Sequence, residues 1–196
     1  MRILAISDVT AKYYFDYYTP GKLDGFDLIL ACGDLHREYL EFLVTMSNKP
    51  VLYVHGNHDE SYDQAPPGGC TCIDDMIYVY QGVRILGLGG SYRYRDGKYM
   101  YTEAQMRCRI RRLWFQLHKY GGFDILVTHA PARHINDFDN LSHRGFDCFV
   151  DLLEKYKPKY FLHGHIHQTY GVHIPQKTIR GDTTIINSYD HYEFVF

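Results

Sequence analysis

Metal-ligating residue types recur at one place in the local pattern of this sequence, the C-terminal end of an apolar run. Asp8 follows Ile3–Ser7, Gly33-Asp34 follows Leu28–Cys32, and Gly56-Asn57-His58-Asp59 follows Val51–His55. Thr128-His129 ends Ile125–Val127, and Gly164-His165-Ile166-His167 follows Tyr160–His163. Each piece has an ordinary explanation when taken singly. An Asp there is a turn or a helix N-cap, Gly-Asn is a turn, and Thr-His is a hydrogen-bonded core histidine. That explanation has to hold five times over. A single alternative covers all five, because open α/β sheets bind ligands just outside the carboxyl ends of their strands. Carboxylate, carboxamide and imidazole together suit borderline divalent metals such as Mn, Fe, Zn, Co or Ni. An Asp can bridge two ions through its two oxygens, whereas an Asn offers only its carbonyl oxygen.

The elements that must position these residues are legible as apolar periodicity. Phe26–Cys32, Ile77–Tyr80 and Val83–Leu88 join the runs above as expected strands, several of them apolar enough to be covered on both faces. Helices are expected over 37–47, 103–119 and 146–157. The second has the Thr102/Gln105 capping box, a stripe of Met106, Ile110, Leu113, Trp114 and Leu117, and Gly121 to close it. His173-Ile174, Thr183–Ile186 and Glu193–Phe196 read as strands without helices between them. Alternation followed by a strand-rich end predicts an α/β sandwich with mixed sheets, and no linker divides the chain, so one domain over 1–196 is expected.

The order and content of the strand-end pieces resemble the calcineurin-like metallophosphoesterase family. Its pattern is Asp-x-His, Gly-Asp, Gly-Asn-His-Asp/Glu, a lone His, then Gly-His-x-His. This chain has Asp8-Val9-Thr10, Gly33-Asp34, Gly56-Asn57-His58-Asp59, His129 and Gly164-His165-Ile166-His167. The resemblance implies a four-layer αββα sandwich of two mixed β-sheets flanked by helices. It also implies two divalent metal ions. Asp8 and His167 would serve one, Asn57, His129 and His165 the other, and Asp34 would bridge both. Ions ~3.5–4 Å apart clamp phosphate oxygens and lower the pKa of a bridging water, giving a hydroxide for attack on phosphorus. By the same resemblance His58 binds phosphate and protonates the leaving oxygen, with Asp59 orienting its ring. The implied activity is phosphatase or phosphodiesterase, on a small phosphoester substrate.

The sequence departs from the family at Thr10, where His is expected. A neutral hydroxyl is the poorer ligand, so the first ion is expected to bind weakly or to be completed by water, or by Asp16. This gives a second reading its basis: a phosphoesterase-fold binding or scaffold protein with weakened or lost turnover. Retention of His58 speaks against it. His36 and Arg37 follow Gly33-Asp34-Leu35 closely enough to contact substrate phosphate, or they are helix-surface charge.

Composition narrows the partners. The 196 residues carry 21 Lys plus Arg against 23 Asp plus Glu, a net charge of −2, so nucleic acid is not favoured even for Arg107, Arg109, Arg111 and Arg112. No apolar run approaches the ~20 residues of a membrane span. The apolar start Ile3–Ile6 is too short for a signal peptide. Five scattered Cys read as reduced thiols of a cytoplasmic protein, and Cys70-Thr71-Cys72 as a loop pair, since it lacks zinc-knuckle spacing. Tyr13, Tyr14, Tyr17 and Tyr18 are expected to pack on the sheet, and Ser91–Lys98 to form a loop able to cover the site.

Overall fold

Strands that are apolar on both faces need cover on both faces. The computed structural model, which describes residues 1–167 and 175–196, supplies it with two facing sheets and helices outside each. The chain begins with β1 (Arg2–Ser7), β2 (Leu28–Ala31), α1 (Arg37–Ser47), β3 (Val51–Tyr53), β4 (Thr71–Cys72) and β5 (Met76–Tyr80). It continues through β6 (Val83–Leu88), β7 (Ser91–Tyr92), β8 (Met100–Tyr101), α2 (Glu103–Arg112), α3 (Trp114–Tyr120) and β9 (Ile125–Thr128). It ends with α4 (Asp147–Tyr156), β10 (Tyr160–His163), β11 (Lys177–Arg180), β12 (Thr183–Asn187) and β13 (Asp190–Val195).

One sheet has the order β13-β1-β2-β3-β4 and the other β11-β12-β10-β9-β6-β5, while β7 and β8 pair separately. Both large sheets are mixed: β13 runs antiparallel to β1, and β5 and β11 run antiparallel to their neighbours. Between the sheets, Ile3, Leu28, Leu30 and Leu52 meet Ile85, Val127, Leu162 and Ile186. On the outer face of the first sheet, Leu4, Ile6 and Ile29 pack on Tyr39, Leu40 and Leu43 of α1. On the outer face of the second, Leu86, Leu126 and Phe161 pack on Met106 of α2 and Phe149 of α4. Each such aliphatic or aromatic side chain contributes about 1.5–3 kcal/mol on burial. The four layers, helix, sheet, sheet and helix, are those the sequence resemblance implies.

The differences from expectation are local. The helix expected over 103–119 is two helices that meet at Leu113 (φ −77°, ψ −2°), although its Thr102/Gln105 capping box forms and Gly121 ends it at φ 65°. The break keeps Met106, Leu113 and Leu117 on the core and turns Trp114 outward, 68% exposed and stacked on His118. β4, β7, β8 and β11 are two to four residues long and carry no alternation readable in the sequence. The expected strand His173-Ile174 lies outside the described residues. Tyr14 is buried and bonds to Glu193, which fits the packing role, whereas Tyr13 and Tyr17 are exposed. On α2, Arg107 pairs with Glu103 at 2.9 Å and Asp151 at 2.6 Å, and buried Arg109 pairs with Asp75 at 2.9 Å. Two of the four arginines are thus engaged within the fold. No helix among the described residues is long and apolar enough to cross a membrane.

Candidate metal centre

Asp8, Asp34, Asn57, His129 and His165 all sit just past the carboxyl ends of parallel strands: β1, β2 and β3 of the first sheet, β9 and β10 of the second. The chain must turn sharply there to aim each side chain into the crevice. Asp8 (φ 67°), Asp34 (φ 55°) and His165 (φ 66°) all occupy the left-handed region, which costs a non-glycine residue roughly 1–2 kcal/mol. Such conformations persist where the surroundings over-determine them, and here the loops are tied together. Asp8 N–H donates to the Gly33 carbonyl at 3.1 Å, and Gly164 N–H to that of His129 at 2.9 Å. His58 N–H donates to Asp34 Oδ1 at 2.8 Å. The glycines permit the approach: a Cβ on Gly56 would lie 2.0 Å from Asp34 Oδ1.

One ligand atom from each of Asp34, His129 and His165 lies within 4.8 Å of the others. His129 Nδ1 is 2.8 Å from the Cys32 carbonyl, which can only accept, so Nδ1 carries the proton and Nε2 faces the crevice. There Nε2 lies 3.1 Å from Asn57 Oδ1 and 3.3 Å from Asp34 Oδ2. By the same reasoning His165 Nε2 donates to the Ser142 carbonyl at 2.6 Å, leaving Nδ1 as its ligand atom. Both ring orientations are thus fixed by backbone carbonyls, which leave no signature in a sequence. Burial opposes charge on Asp34, but His129 and the His58 amide outweigh it and hold its carboxyl below the usual range. Burial and the charge of His129 push the His165 imidazole down, toward the neutral form a metal needs. This donor set fits a divalent cation: two imidazoles, one carboxylate and one amide oxygen.

The neighbouring position is sparser. His167 Nε2 lies 3.4 Å from Asp8 Oδ1, and both residues line the same cleft as Asp34. Thr10 is half-buried, and Asp16 is exposed on the turn after it; neither belongs to the wall of the cleft. His143 does belong to it, with its ring 5.4 Å from that of His165.

The cleft is about 460 Å³, walled by Asp8, Asp34, Asn57, His58, Tyr94, Ser142, His143, His165 and His167. His58 is exposed at its mouth, with Arg95 Nη2 3.5 Å from its Nδ1. Asp59 behaves differently from the expected orienter of that ring. It is 3% exposed, and its Oδ2 accepts from Gly56 N–H at 2.7 Å and Asp34 N–H at 2.8 Å. It opens the 3-10 turn Asp59–Asp63 and folds beneath Asp34 while His58 points out, so it positions the Asp34 loop instead. Burial and the Asp34 charge raise its pKa to about 6. His36 and Arg37 line an adjoining cleft of about 520 Å³ that shares Asp34 and His58 with the first. Arg37 is also paired to Glu41 at 3.5 Å.

The family model for calcineurin-like phosphoesterases matches residues 1–169. The chain belongs to that family. Members of the calcineurin-like phosphoesterase family generally hydrolyse phosphate esters with divalent metals. The chain is similar to a UPF0046 protein of Caenorhabditis elegans, 26% identical over 230 residues that cover 96% of this chain and 74% of the relative. Among solved structures, a Thermus thermophilus protein matches with a TM-score of 0.62 at 15% identity, covering 96% of this chain and 89% of its own. The 5'-nucleotidase of Candida albicans matches with a TM-score of 0.54 at 15% identity, over 95% of this phosphoesterase-family chain and 45% of that enzyme. These likenesses concern the fold.

Proposed function

We propose that the chain is a metal-dependent phosphoric ester hydrolase acting on a small phosphomonoester or phosphodiester. The observation that carries this reading is the aim of His129 Nε2. Fixed from behind by the Cys32 carbonyl, it meets Asn57 Oδ1 at 3.1 Å and Asp34 Oδ2 at 3.3 Å, and these two partners line the cleft. Two divalent ions, when bound, supply Lewis acidity toward phosphate oxygens and a water deprotonated near neutral pH.

The protein's own groups do the rest. Asp34, Asn57, His129 and His165 would hold one ion, and Asp8, His167 and Asp34 the other. His58, exposed at the mouth, binds a phosphoryl oxygen and delivers a proton to the leaving oxygen. Asp59 holds the backbone of the Asp34 and Gly56 loops in place. His36 and Arg37 lie where the remainder of a substrate would extend from the phosphorus.

The test is hydrolysis of p-nitrophenyl and bis-p-nitrophenyl phosphate by protein supplied with Mn, Co or Ni, read beside its metal content. Turnover that falls at least a hundredfold in Asp34→Asn, with loss of bound metal, supports the reading. Thr10 in place of a fourth donor favours the second reading, a non-catalytic binding protein. Equal silence of the wild type, Asp34→Asn and His58→Ala across a broad phosphoester panel would establish that one instead.

A further inference from the structure

The second cluster of metal-ligating side chains shares no residue with the first. β4 runs parallel to β3 with Tyr53 opposite Cys72, and the ladder continues past both strands as Ile73 N–H donates to the Tyr53 carbonyl. Alternation then puts His55 and Asp74, each two residues further on, on the same face as Cys72. His55 Nδ1 lies 2.7 Å from Asp74 Oδ2 and 3.7 Å from Cys72 Sγ, and the three ligand atoms fall within 4.8 Å of one another.

A nucleophilic Cys-His-Asp arrangement needs the thiol and the acid on opposite ring nitrogens. Here both crowd Nδ1, which is the arrangement of three donors around one centre. A tetrahedral zinc with ordinary Zn–N and Zn–S bonds sets nitrogen and sulfur about 3.6 Å apart. The observed 3.7 Å needs no adjustment, and the nitrogen–oxygen pair has only to open by about half an ångström when a cation replaces the shared proton.

The surroundings hold these donors in place. Asp74 Oδ1 accepts from Gly89 N–H at 2.8 Å, and a Cβ on Gly89 would lie 2.5 Å from that oxygen. The His55 ring stacks on Tyr99 at 4.3 Å between centroids. The His55 and Asp74 side chains are 12% and 17% exposed, enough for water to reach a fourth position. Cys70 turns away and bonds to the Leu40 and Gly68 carbonyls.

We propose that His55 Nδ1, Cys72 Sγ and an Asp74 carboxylate oxygen form a separate site for one borderline-soft divalent cation, of which Zn2+ is the best fit, with water as the fourth ligand. Binding releases the thiol proton and the Nδ1 proton. The cation joins the ends of β3 and β4 directly behind Gly56-Asn57-His58-Asp59, and so braces that loop.

Cobalt distinguishes this site from the other, because only this one offers a thiolate. Chelator-stripped full-length protein titrated with Co2+ should develop a near-ultraviolet thiolate-to-cobalt charge-transfer band that saturates at one ion per chain. Cys72→Ser should abolish the band, and His55→Gln should weaken its cobalt affinity at least tenfold. Cys70→Ser and Asp34→Asn should keep it, with folding checked by circular dichroism. No band in the wild type at saturating cobalt overturns the proposal, as does a band that survives in Cys72→Ser or disappears in Cys70→Ser.

Discussion

The His165 amide donates to both carboxylate oxygens of Asp8, at 3.1 and 3.0 Å, across 157 positions of sequence. Asp8 ends a strand of one sheet and His165 follows a strand of the other, so this pair of bonds closes the seam between them. The carboxylate is fixed by a backbone group yet keeps lone pairs for a cation, and its partner's imidazole is left for a second role. In His165 the backbone amide does the positioning and leaves the imidazole for the proposed ligation.

Gly164 is what lets that contact form. A Cβ there would lie 1.8 Å from Ser7 Oγ and 2.6 Å from Asp8 Oδ2. Gly164→Ala is expected to lower the unfolding temperature by several degrees, in line with a loss of about 2 kcal/mol, and to cut the bound metal. Thermal unfolding and plasma emission measure the two effects. An unchanged metal content would mean the seam is not needed to hold the ligands.

His58 bonds to Asp34 through its amide while its ring stays exposed, so its side chain can be removed without disturbing the proposed ligands. His58→Ala should therefore keep its metal and lose turnover. The loss should be about 10²–10⁴-fold for a poorly leaving alkoxide and clearly smaller for p-nitrophenolate, which needs little protonation. Rates over a leaving-group series read this; a uniform loss points to phosphate binding alone.

Thr10→His puts an imidazole where the family pattern has one, two residues after Asp8. The expected result is at least tenfold tighter binding of the second equivalent of Mn2+ or Co2+, followed by calorimetry. No change in affinity would mean that the turn at residue 10 carries its side chain away from Asp8 and His167.

The His55–Asp74 contact makes the metal-free protein sensitive to alkaline pH. Burial pulls the His55 pKa down, but the bonds to Asp74 and Cys72 outweigh it and raise the value from 6.5 to about 9. The folded state therefore binds this proton more tightly than the unfolded state. Its contribution is fully present below the unfolded pKa and is lost as pH rises through the folded one. The stability advantage of wild type over His55→Gln should shrink by on the order of 1–2 kcal/mol between about pH 6 and pH 9.5. Urea unfolding of chelator-treated protein measures it, and a constant difference would remove the ion pair from the account.

The sequence by itself determined the layers and which polar residues gather at the strand ends. Near-continuous apolar runs require two-sided cover, and Asp or His at the carboxyl ends of parallel strands has one common destination, the crest of the sheets. Short strands such as β4 were invisible because two residues carry no period, and the helix break at Leu113 because the stripe runs across it. Only the tertiary structure decided what each side chain does on arrival. Asp59 holds two backbone amides instead of a ring, and the carbonyls of Cys32 and Ser142 select the tautomers of His129 and His165. Cys72, unremarkable beside Cys70, gains His55 and Asp74 as neighbours. Hydrogen-bond partners made by backbone atoms, and contacts across the register of adjacent strands, depend on where the chain returns in space, and residue spacing does not encode that.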